Sequence, residues 1–69
     1  TIDNNGIDIF VGSLQENIIC GIVCTVDELK NDAEIKIMYK CTNKEIETII
    51  QFLNNKYMSA IFIPHDHIF

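Results

Sequence analysis

His65-Asp66-His67 and the thiols of Cys20, Cys24 and Cys41 are the residues of this chain whose types could do chemistry. In an extended segment the two imidazoles fall on the same side, as a metal site requires. Cys20 and Cys24 are four apart and would share a strand face, so a Cys and His site for zinc can be drawn. The spacing argues against it, because Cys-x3-Cys in an apolar strand lacks the knuckle geometry of Cys-x2-Cys. The plainer reading is a polar tail beside buried free thiols. His65 and His67 stand as the candidate metal ligands.

A catalytic cysteine needs an activating imidazole or a helix N-terminus. Cys41 lies just before a helix start, but its place on the inward face of a strand favours an inert buried thiol over a catalytic one. Asp27-Glu28 and Glu45-x-Glu47 read as solvated acids at helix starts, where carboxylates suit the dipole. Gly6 and Gly12 sit in turn signals, and no glycine-rich phosphate loop is present. The expectation is a protein that is not an enzyme and needs no cofactor.

The charge balance narrows the partners. Five lysines and ten Asp plus Glu give a formal charge of −5, and the chain has no arginine. Phosphate contacts need clustered Lys and Arg, so a nucleic-acid-binding role is disfavoured. The acids are spread along the chain, not massed as a DNA mimic would need. No apolar run reaches the length of a membrane span. The polar start TIDNNG has no signal-peptide character, and three cysteines fit a reducing compartment, so a cytoplasmic setting is expected. The Ile-, Asn- and Lys-rich composition suggests an AT-rich genome, such as that of a phage or mobile element.

The elements that must position these residues are few. Residues 3–6 signal a turn, and Ile7 to Val11 alternate as a first strand. A short link from Gly12 to Asn17 suggests an antiparallel pair with a second strand from Ile18. Thr25 to Glu28 fit a capping box, so either a helical turn begins there or the strand runs on to Val26. Ala33 to Cys41 alternate most cleanly: Ala33, Ile35, Ile37, Tyr39 and Cys41 form one face, and Glu34, Lys36, Met38 and Lys40 form a wet one. Those lysines suit a sheet edge. Thr42-Asn43-Lys44-Glu45 is a second capping box, followed by an amphipathic stripe of Ile46, Ile49, Ile50, Leu53 and Tyr57. Asn54-Asn55 supplies a stop. Tyr57 to Ile63 form a last strand, closed by Pro64.

The fold class is therefore α+β: one domain over residues 1–69, a mainly antiparallel four-stranded sheet with one helix on one face, in the order β-β-β-α-β. The run from Ile18 to Val26 is apolar at nearly every position, which marks a strand buried on both faces. One helix covers one face only. A chain this short buries roughly 60% of its unfolded surface, so it gains much from association. Each wet aliphatic side chain on the second face forgoes about 1.5–3 kcal/mol. The expectation is a small protein-binding or homo-oligomerising module, serving as a regulator, inhibitor or assembly subunit. Its candidate interface residues are Phe10, Ile19, Val23, Ile61 and Ile63. The alternative is a metal- or small-ligand-binding module built on His65 and His67.

Overall fold

The computed structural model describes residues 8–67, the side chain of His67 excepted. The turn over residues 3–6, the start of the first strand at Ile7 and the last two residues lie outside that range. Strands β1 (Asp8–Val11), β2 (Ile19–Asp27) and β3 (Asp32–Tyr39) precede helix α1 (Asn43–Leu53), and β4 (Met58–Pro64) follows it. A 3-10 turn occupies His65–His67. The α+β architecture is the one the sequence indicates: one helix and one four-stranded, mostly antiparallel sheet.

The strand order is β1-β3-β2-β4. Two expectations fail here. β1 does not form a hairpin with β2; it pairs in parallel with β3. The link over residues 12–18 wraps the end of β3 instead, held by Gly12 N–H to Tyr39 O, Leu14 N–H to Lys40 O and Lys40 N–H to Ile18 O. Lys40 reaches this arrangement in a left-handed conformation (φ 59°), unusual for a residue with a side chain. β3 is thus internal despite its lysines, and β4 is an edge.

The turn between β2 and β3 resolves the two readings of Thr25 to Glu28. The strand runs on to Asp27, and no helical turn forms. The Asp27 carboxylate accepts from the backbone N–H groups of Leu29 and Lys30. Asn31 takes the left-handed position (φ 53°) that asparagine tolerates.

Helix α1 starts as its sequence indicates. Thr42 Oγ1 accepts from Glu45 N–H at 3.1 Å, and Glu45 Oε1 accepts from Thr42 N–H at 2.8 Å. The same carboxylate oxygen receives Ser13 N–H, so the capping box also holds the link after β1. The helix does not end in a left-handed cap. Asn54 is extended (φ −81°, ψ 122°) and works through its side chain. Ile46, Ile49, Ile50 and Leu53 of the stripe reach the core, whereas Tyr57 lies beyond the helix and is exposed. The core gathers between helix and sheet around Val23, Met38, Cys41, Ile46 and Ala60.

Candidate functional site

The faces of β3 are the reverse of those expected. Met38 is fully buried and Lys36 is 7% exposed, both on the helix side. Lys36 survives there because its ammonium reaches Asp8 at 2.9 Å and Glu34 at 3.0 Å, two carboxylates that remain mostly in solvent. Burial lowers its pKa, but those two hydrogen bonds and charges outweigh it and hold the group above its ordinary value. The clean apolar set of Ile35, Ile37 and Tyr39 lies on the other face, which no element among the described residues covers; Ile35 is half exposed.

Strand register extends that set across the sheet. Ile37 pairs with Ile9 of β1 and Ile22 of β2, and Ile22 pairs with Ile63 of β4. Partners in a ladder point to the same face, so a row of four isoleucines crosses all four strands. Beside it lies a second row of Ile35, Cys24 and Ile61. Val11, Tyr39 and Ile19 continue the surface at one end, and Ala33, Val26 and Ser59 at the other. The register sends every charged strand residue, Asp8, Asp27, Asp32, Glu34 and Lys36, to the helix side. The open face therefore carries no charge within its strands.

Three of the candidate interface residues belong to this face. Ile61 is 61% exposed, Ile19 is exposed, and Ile63 is half-buried. Two do not. Val23 is fully buried under the helix, and Phe10 packs against the same core. The cause is a β-bulge: the β2–β3 register shifts between Ile19 and Gly21, with Cys20 as the additional residue. One extra residue inverts the alternation, so Ile19 and Val23, four apart, face opposite ways. The same bulge separates Cys20, which packs on the core, from Cys24 on the open face. Ile9, Val11, Ile22, Ile35 and Ile37 escape a reading strand by strand. Their signal in the sequence is the alternation of β3, whose apolar half faces away from the helix.

The open face is bounded by strand edges of different character. On the outer edge of β4, the Asn54 amide accepts from Ala60 N–H at 2.9 Å and donates to Ala60 O at 3.0 Å. Asn55 treats Met58 in the same way, with its side chain accepting from Met58 N–H and its backbone N–H donating to Met58 O. Pro64 has no N–H to offer. These three positions close most of that edge to another strand.

Of the candidate metal ligands, the side chain of His67 lies outside the described residues. Residues 65–67 form a 3-10 turn, so the extended backbone that would align His65 and His67 is absent. Among the described residues, no three His, Cys, Asp or Glu are grouped so as to hold a metal ion. No helix among them is long and apolar enough to cross a membrane.

Comparison with protein-family models, curated proteins and solved structures finds no match. The geometry of the open face is thus the ground for a functional reading.

Proposed function

We propose that this protein is a non-enzymatic oligomerising module whose open sheet face is covered by the same face of a second copy. The observation that supports it most is β3. Its alternation is the clearest burial signal in the sequence, yet the apolar half of that pattern faces away from the helix. Met38 and Lys36 already lie under the helix, so cover over Ile35, Ile37 and Tyr39 would bury this strand's apolar side chains on both faces.

Area supports a second copy as the occupant. Four strands at their usual spacing, seven residues long on average, give a face of roughly 19 by 23 Å. Corrugated by its side chains, it offers on the order of 600 Å², the upper end of what a monomer exposes. A standard interface removes about 800 Å² from each partner, which the face and its rim can meet. The uncharged face brings no like charges into direct contact, which leaves the formal charge of −5 on each copy to act at longer range, where salt screens it. The blocked edge of β4 disfavours strand addition on that side. Two such sheets would pack about 10 Å apart as a sandwich. Regulator, inhibitor and assembly subunit are all roles such a module could fill.

Sedimentation of the full chain tests this. The wild type should sediment as a dimer at micromolar concentration. Ile61→Glu, at a position already 61% exposed, should give a folded monomer. A wild type that stays monomeric at high concentration would sink the proposal. So would an Ile61→Glu variant that remains a dimer.

A further inference from the structure

We propose that Cys20 and Cys41 form a paired modification site, which a small disulfide oxidant of the glutathione class converts to an internal disulfide. The bulge in β2 aims Cys20 toward the start of α1. The Cys20 sulfur accepts from Cys41 N–H at 3.3 Å and donates to Cys41 O at 3.1 Å. The Cys41 Cα between those two atoms is then about 4 Å from the Cys20 sulfur. The Cys20 Cα lies about 2.8 Å from its own sulfur, so the two Cα atoms are at most about 7 Å apart, near the upper limit of the range of about 4.4–6.8 Å that disulfides span. The Cys41 thiol now points to Phe10 O at 3.6 Å and Tyr39 O at 3.5 Å, both weak partners for a sulfur donor. A rotation about χ1 gives up these contacts and turns it toward Cys20.

Access sets the order of events. The two cysteines line a cleft of about 720 Å³, open to solvent, with Leu14, Ile18, Ile46 and Phe62 among its walls. Cys20 is half-buried at that cleft, whereas Cys41 is 4% exposed. Burial pushes the Cys41 thiol up, and neighbouring Cys20 and Glu45 add to it. Cys20 reacts first. Its thiolate attacks one sulfur of the oxidised tripeptide, the S–S bond breaks, and one glutathione thiol departs with a proton. Cys41 then loses its proton and attacks the Cys20 sulfur of the mixed disulfide, releasing the second glutathione thiol. Two electrons pass from the protein to the oxidant. The product ties the bulge of β2 to the residue before Thr42, across a long loop of chain, and should raise the thermal midpoint on the order of 10 °C.

The test uses the full chain, as wild type and as Cys24→Ser, incubated with oxidised glutathione at mildly alkaline pH. Mass spectrometry should find each chain lighter by two hydrogen atoms. Tryptic peptides carrying Cys20 and Cys41 should be joined until a reductant is added. Cys41→Ser should stop at a glutathione adduct on Cys20. The proposal is overturned if the wild type keeps that adduct with Cys41 still open to alkylation, if both thiols stay unreacted, or if Cys20 joins Cys24 instead. Both sulfurs lie on the helix side, so the result is independent of what covers the open face.

Discussion

Glu45 shows how much one side chain can hold. Its carboxylate receives the backbone N–H groups of Thr42 and Ser13, and those hydrogen bonds hold it below the ordinary carboxylate value of 4.5. A group whose pKa falls on folding stabilises the fold above its unfolded pKa. That contribution disappears as pH falls through the lower, folded value. Acidification below about pH 4.5 should therefore lower the urea midpoint of the wild type. Glu45→Gln keeps an acceptor for the cap but does not titrate, so its midpoint should fall less over the same range. Equal slopes for the two proteins would show that the carboxylate charge is irrelevant to the cap. This capping box was legible from Thr42 and Glu45 alone. The bond to Ser13 was not, because it joins residues that the link around β3 brings together.

Among the elements, β4 and its approach from α1 are where local chemistry decides the pairing. Asn54 makes three hydrogen bonds through its amide: to Ile50 O, to Ala60 O and from Ala60 N–H. Asn54→Ala should destabilise the protein by about 1–2 kcal/mol, as loss of a helix cap and two edge contacts implies. It should also free a backbone pair on the edge, so thioflavin-positive aggregation should quicken. A variant as stable and as soluble as the wild type would deny the asparagine this role. The sequence marked Asn54 as a helix stop, which it is, but by a left-handed turn that it does not make. Helix and strands were readable from periodicity, their bounds only to within a few residues: β2 runs on to Asp27, and β3 stops at Tyr39, short of Cys41. Strand order was not, since a link of seven residues serves a hairpin or a wrap around a neighbouring strand equally well. The bulge at Cys20 was hidden for a similar reason. In a run as uniformly apolar as Ile18 to Val26, a one-residue slip leaves the pattern unchanged.

Across the whole molecule, the apolar side chains of the open face are largely not the ones the sequence singles out. Val23 and Phe10 belong to the core, and the isoleucine row takes their place. If two copies close over that row, folding and association are coupled. The thermal midpoint should then rise with protein concentration, each tenfold step adding about 1.4 kcal/mol to the unfolding free energy of the dimer. A midpoint independent of concentration over a hundredfold range would rule out the coupling. The wrap of residues 12–18 also has a kinetic consequence. β2 and β3 can zip from their short turn as soon as both exist, whereas β1 has no ladder to join until β3 is in place. β1 is paired on one side only and over four residues. The strand that comes first in the chain order of this sheet is therefore the last to dock. Its amides should be the first of the sheet to exchange with deuterium, and each opening would remove Ile9 from the end of the isoleucine row.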